Sequence, residues 1–224
     1  ADCLEKPWYL VNVPIGPDEL EGRNWNIDAA RLACQPKAGP HPTWDQLLRV
    51  VGRGLDVASD PWCRRHEITT GGDYLRLWAA GMVQFPLERQ AYLFLYGEQQ
   101  CGKSSFHEAL KLLFAEGRGY ALAKSALTSE SGFNGEIANA VLCAVEEVDL
   151  SDQRSRAYNQ IKDWVTGPDI HIHPKKLQPY DLPNATHWVQ CAQKADFCPV
   201  FDGDTRITMV PVFKPDEEDR IPKN

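Results

Sequence analysis

Several large classes of protein leave marks that this sequence lacks. No uninterrupted apolar run approaches the roughly eighteen residues needed to cross a bilayer, and no secretory leader is recognisable. There is no CxxC pair, and the seven cysteines (Cys3, Cys34, Cys63, Cys101, Cys143, Cys191 and Cys198) are odd in number and scattered. That pattern excludes a secreted disulfide framework and predicts reduced thiols in the cytoplasm of a bacterium or host cell. A basic excess is also missing: 24 Lys and Arg face 31 Asp and Glu, a net charge of −7. A protein that coats nucleic acid by charge alone is therefore excluded, and any DNA contact must come from a local basic element. No internal repeat is visible.

What remains is ordinary for a folded globule. With 224 residues, 43% hydrophobic and 25% charged, the chain can hold one substantial α/β domain without disulfide or metal support. It starts at Ala1 rather than Met, as expected of a piece cut from something longer.

Residues 1–42, rich in Pro, Gly and Asn, read as a linker with one β-like run at Trp8–Val13. Residues 43–88 read as a small helical subdomain. Thr43 and Gln46 predict a capping box ahead of Leu47, Leu48, Val51 and Leu55, and a second helix is expected over Asp73–Val83. Residues 89–213 read as the α/β core. Ala91–Tyr96 and Ala140–Val145 are continuous apolar runs of strand length, as in a mostly parallel sheet buried on both faces. A helix is expected over Lys103–Phe114 and another from Ser151 or Asp152 to Val165, with two late strands at Thr186–Cys191 and Ile207–Val212. Residues 117–135 are expected to be irregular, and the four prolines of 168–185 suggest a hairpin. The acidic tail, 214–224, is expected to be solvated. Trp44, Trp62, Trp78 and Trp164 are assigned to packing rather than base stacking.

The strongest chemical signal is Gly97-Glu98-Gln99-Gln100-Cys101-Gly102-Lys103-Ser104, which meets G-x-x-x-x-G-K-[ST] at every fixed position. Glycines let successive N–H groups turn inward toward phosphates, and the following helix adds the positive end of its dipole. Lys103 would reach the β- and γ-phosphates, Ser104 would bind Mg²⁺, and Ser105 completes the predicted ATP-binding stretch. A plain Gly-rich turn with a surface lysine is the alternative. The second strand ends in Glu146-Glu147, at the edge where open α/β sheets bind ligands. Glu146 is assigned to Mg²⁺ and Glu147 to activation of the attacking water. The reverse order stays open, and Asp149 is a weaker candidate. The predicted fold is thus a P-loop NTPase with ATP and Mg²⁺ as cofactors.

The order of these parts resembles the superfamily 3 helicases, and specifically the phage- and poxvirus-type primase-helicases with their AAA+-like core. GEQQCGKSSF, VLCAVEEVD, KDWVTGPDIHIHPKK and WVQCAQKADFCPVFDGDTRI carry the likeness. The resemblance implies a ring, most simply a hexamer, acting on single-stranded or forked DNA, with a primase fused or associated and no membrane partner. It places Gln193 where family members carry a γ-phosphate-sensing asparagine. A glutamine keeps the amide but adds a methylene, and a surface amide is the alternative. It makes Arg206 the finger offered to a neighbouring subunit, against a local pair with Asp204 or Asp202. It makes His173, Lys175 and Lys176 the DNA-contacting tip of a basic hairpin, against a solvated lysine turn or a zinc site. An ATP-binding assembly module and a P-loop ATPase acting on protein partners are the rival functions.

Overall fold

In the computed structural model the described residues are 8–26, 28–149, 154–198, 200 and 203–220. The order of elements begins with a small sheet of β1 (Tyr9–Leu10), β2 (Glu19–Leu20) and β3 (Asn24–Trp25). The stretch read as a linker therefore carries structure. The buried Asn26 side chain holds it by bonding Val13 N and O and Pro17 O, and residues 31–33 hydrogen-bond to the chain at Leu113 and Ala115. Three helices follow, α1 (Pro42–Gly52), α2 (Pro61–Arg65) and α3 (Gly71–Gln84).

The expected capping box at Thr43 does not form. Helix α1 starts two residues earlier, with His41 at the N-cap position, Pro42 in its first turn and no side-chain cap, because a proline at that place is already set in helical φ and has no N–H to satisfy. Helix α3 instead gains a true cap: Thr70 Oγ1 accepts from Asp73 N at 3.1 Å while Asp73 accepts from the Thr70 hydroxyl.

The core alternates strand and helix: β4 (Tyr92–Tyr96), α4 (Lys103–Lys111), β5 (Gly119–Leu122), α5 (Lys124–Thr128), β6 (Ala140–Glu146), α6 (Arg154–Thr166), the hairpin β7 (Asp169–Ile172) and β8 (Tyr180–Pro183), then β9 (His187–Ala192) and β10 (Ile207–Pro211). The proposed cap residues of α6, Ser151 and Asp152, lie outside the described residues. Among the described residues, five strands pair in the order β10-β4-β9-β6-β5, all parallel. Strand β5 and helix α5 occupy a stretch expected to be irregular. Its four residues form a partly exposed edge strand beginning at a glycine, too short to show a period.

Alternation sorts the side chains into two layers. Leu93 and Leu95 face α1, α3 and α4, where they meet Leu48, Leu75, Met82, Phe106 and Leu110. Tyr92 and Phe94 face the other way, against Ile161 and Trp164 of α6 and Ile170 of the hairpin. The helical pair α1/α3 thus shares one continuous hydrophobic layer with the sheet. In the second layer Trp164 stacks on Trp188 with centroids 4.1 Å apart and planes 1° from parallel. A buried polar stitch crosses the sheet: Tyr92 Oη donates to Gln190 Oε1, and Gln190 Nε2 donates to Val148 O. Trp62 departs from its predicted packing role, being 52% exposed and leaning on His66. No helix is long and apolar enough to cross a membrane among the described residues.

Replacing Trp188 by Ala removes the centre of the second layer and is expected to cost about 3–5 kcal/mol in denaturant unfolding. Trp62→Ala, at the surface, is expected to cost less than about 0.5 kcal/mol. Equal costs would contradict this division of the tryptophans.

Candidate functional site

Parallel pairing brings the carboxyl ends of β4, β9 and β6 into line. Tyr96 pairs with Ala192, and Cys191 pairs with Glu146. The residues that follow, Gly97, Gln193 and Glu147, therefore emerge side by side. Beside them lies a cleft of about 760 Å³ lined by Gln99 through Ser105, Glu146, Glu147 and Gln193.

The loop from Gly97 to Gly102 needs its glycines for identifiable reasons. A Cβ on Gly97 would lie 2.1 Å from Val212 O, so the backbone passes β10 where no side chain fits. Gly102 has φ of +95° and caps α4, turning the chain into the helix whose first residues are Lys103 and Ser104. Gln100, at φ +61°, adds a second left-handed turn. The Lys103 ammonium lies over this curl, donating to Gly97 O at 2.9 Å and Glu98 O at 2.6 Å.

Opposite the loop stands Glu146. His107, one turn beyond Lys103 and 2% exposed, places Nε2 2.5 Å from Glu146 Oε1, and the Tyr120 hydroxyl lies 3.2 Å from His107 Nδ1. The hydrogen bond from His107, joined by one from Ser104 and opposed by partial burial, holds the Glu146 carboxyl below the usual range. Burial, with the Glu146 carboxylate as the next cause, pushes the Tyr120 phenol up to about 12. With Glu146 ionised, Nε2–H donates to the carboxylate, and the Tyr120 hydroxyl holds the other ring nitrogen. Nothing in the spacing read from sequence singled out His107. The available signal was its position four residues after Lys103, on the same side of the helix.

Ser104 and Glu146 are thus in hydrogen-bond contact, a pair of hard oxygen donors suited to Mg²⁺. His107, Glu146 and Cys191 form a second cluster, with their ligand atoms within 4.8 Å of one another. Burial raises the Cys191 thiol far above its ordinary value, so that sulfur is a neutral thiol rather than a ready ligand. Glu147 is exposed, has φ of +49°, and is fixed by its N–H donating to Cys191 O at 3.0 Å. Gln193 is exposed on the rim of the cleft.

Two groups of predicted residues lie elsewhere. Arg206 precedes β10, at the opposite edge of the sheet and about 17 Å from the cleft by five residues of strand rise. Its guanidinium bonds both Asp204 oxygens, at 2.7 and 3.2 Å, and the Tyr158 hydroxyl at 2.6 Å. Against the raising effect of burial, the Arg206 hydrogen bonds hold Asp204 below its ordinary value. The local pair with Asp204 does form, and Asp202 lies outside the described residues. The hairpin forms as expected and leaves Lys175 and Lys176 exposed at its turn. It is less uniformly basic than the run 171–176 implied, because Asp181 on the facing strand lies 2.8 Å from His171 Nδ1. Asn134 anchors it, bonding His171 O and His173 N. Phe133, the neighbouring residue, packs on His173 with centroids 4.8 Å apart and takes the Lys175 ammonium 6.0 Å above its ring. Sequence reading did not single out Phe133. His187 is buried among the carbonyls of Val141, Ala185 and Glu88.

The model of a family of unknown function, DUF5906, matches residues 95–206, which is half of the chain. The chain belongs to DUF5906. That segment holds the glycine loop, the Glu146–Glu147 edge, the hairpin, Gln193 and Arg206. No curated protein matches the chain in sequence. Among solved structures, this DUF5906 member is similar to the apo C-terminal region of NrS-1, residues 305–718, with TM-score 0.68, 19% identity and 92% of the chain covered. A second apo structure of that region, its A form, gives TM-score 0.67 and 20% identity over the same share. The chain spans about half the length of these structures, 47%. At such identity the likeness establishes a shared α/β fold.

The Glu146 carboxyl has a lower value in the folded chain than its ordinary 4.5, so its contribution is present above about pH 4.5 and is lost as pH falls through the folded value. Thermal unfolding is expected to shift to lower temperature on acidification, and to shift less in Glu146→Gln. The side chain is 34% exposed, so the difference is small. Identical acid profiles would contradict the His107–Glu146 pairing.

Proposed function

We propose that the chain is an ATP-driven DNA translocase, a P-loop NTPase motor serving replication of a phage, virus or mobile element. The observation that carries this reading is the convergence on one cleft of Lys103 and Ser104 from the end of the loop and of Glu146 and Glu147 from the end of β6, two strands away. A carboxylate pair facing an ammonium, a hydroxyl and a helix N-terminus matches what a metal-bound triphosphate needs.

In this reading the loop amides and Lys103 grip the β- and γ-phosphates, displacing the ammonium from the carbonyls of Gly97 and Glu98. Ser104 and Glu146 would hold Mg²⁺, which supplies charge neutralisation to the phosphates. His107 keeps Glu146 ionised and turned toward Ser104. Glu147 orients the attacking water and accepts its proton, and Gln193 contacts the γ-phosphate from the adjacent strand end. Arg206 cannot serve its own cleft. It would act on that of a neighbouring copy in a ring, most simply a hexamer, after exchanging Asp204 and Tyr158 for the phosphoryl group.

The hairpin tip supplies the DNA contact that a chain of net charge −7 needs locally. Lys175 and Lys176 would meet phosphates of a single strand, while His173 and Phe133 offer aromatic faces for bases. A primase, fused or associated, would complete the replication role.

Lys103→Ala is expected to abolish measurable nucleotide binding, whereas Glu147→Gln is expected to keep binding and lose hydrolysis by about 100-fold or more. A Glu147→Gln chain that hydrolyses normally would remove Glu147 as the base. For DNA, the slope of log affinity against log salt is expected to fall by about 1.4 in Lys175→Ala/Lys176→Ala, two single-strand phosphate contacts at about 0.7 each. An unchanged slope would remove the hairpin from the contact.

A further inference from the structure

The described part of the acidic segment after β10, residues 214–220, is largely exposed to solvent as expected and is also tethered along the cleft. Val212 N donates to Tyr96 O at 2.8 Å, so the chain leaves the sheet beside the start of the glycine loop. Lys214 then pairs with Glu98 at 2.7 Å. Arg53 holds the Asp216 carboxylate at 2.9 Å and Lys214 O at 3.0 Å, and Arg49 holds Asp219 at 2.6 Å. Arg49 and Arg53 are four residues apart, so they sit on one side of α1 and grip the segment at two points.

The consequence is a cleft with two chemically different walls. One carries the ammonium, hydroxyl and carboxylates already described. The other is built by Leu47 and Val50 of α1 together with Lys214, Pro215, Asp219 and Arg220. A triphosphate has no use for aliphatic side chains. A volume of about 760 Å³ exceeds what a phosphate chain occupies and lies within the ~300–1,000 Å³ range of pockets that enclose nucleotide-sized ligands.

We infer that residues 214–220 form the nucleoside side of this site, packing the base of a nucleoside triphosphate between Pro215 and the Leu47–Val50 face of α1. The inference rests on the triphosphate reading above and adds what that reading left undefined, the part of the cleft that touches the base. Each exposed ion pair alone contributes little, but the two arginines and Lys214 restrain one short segment at three points, which fixes the wall in place before ligand arrives. Arg220 can lie over a base through its planar cation. Lys214 and Asp219 on this wall are already paired with Glu98 and Arg49, so the contribution of Leu47, Val50 and Pro215 comes from packing.

Calorimetric titration of the chain with MgATP and with magnesium tripolyphosphate tests this. ATP is expected to bind at least about tenfold more tightly than tripolyphosphate. Arg49→Glu/Arg53→Glu is expected to reduce that advantage to within about twofold while leaving tripolyphosphate affinity unchanged, which also reports that the variant is folded. Adding Asp216→Arg/Asp219→Arg, which restores the pairs with signs exchanged, is expected to recover it. Equal affinities for the two ligands in the unaltered chain would overturn the inference and leave the phosphate cradle standing. An advantage that survives the charge reversals would overturn it as well. Failure to bind either ligand would remove the triphosphate reading and this inference with it. The comparison in the unaltered chain decides the question even if the reversed variant does not fold.

Discussion

The pairing of β9 with β4 on one side and β6 on the other is the constraint on which the candidate site depends. Parallel ladders leave no freedom in where the following residues emerge, because Tyr96, Ala192 and Glu146 are locked into neighbouring registers. The glycine loop, Gln193 and the carboxylate pair consequently meet at one edge without any contact between distant loops being required. Burial of both sheet faces, by α1, α3 and α4 on one side and α6 with the hairpin on the other, stabilises that ladder. The site is therefore as rigid as the core beneath it.

On that frame the polar groups are arranged by hydrogen bonds rather than by chance proximity. His107 links the helix that follows the loop to the acidic strand end, and Tyr120 on the edge strand β5 closes the chain behind it. His107 meets both neighbours at once, with Nε2 at the Glu146 carboxylate and Nδ1 at the Tyr120 hydroxyl. The arrangement gives Glu146 a fixed orientation while leaving Glu147, one residue on, exposed at the rim.

How much of this was legible in the sequence follows from the range of the interactions. Strands β4 and β6 were readable because uninterrupted apolar runs mark strands buried on both faces. The loop was readable because its fixed positions answer local backbone demands, such as the left-handed φ of +95° at Gly102. Strand β5 was not, since an edge strand of four residues, two of them buried, is too short to show a pattern. Pro42 overrode the expected cap at Thr43 by a local rule that competes with the one applied. His107, Phe133 and the partner of His171 depend on residues 39, 40 and 10 positions away, respectively, and spacing along the chain carries no record of them. The ion pairs that tether the largely exposed acidic segment were not legible for the same reason: its counterparts, Arg49 and Arg53, lie more than 160 residues earlier.

The central claim is that the backbone amides from Gly97 to Ser105 form a cradle for a triphosphate. Mapping amide resonances of the isotopically labelled chain while adding Mg²⁺ and a non-hydrolysable ATP analogue tests it most directly. The account predicts that the largest shifts fall on residues 97–105, with smaller ones at the ends of β6 and β9. Shifts confined to other regions, or no shifts at saturating analogue, would contradict it.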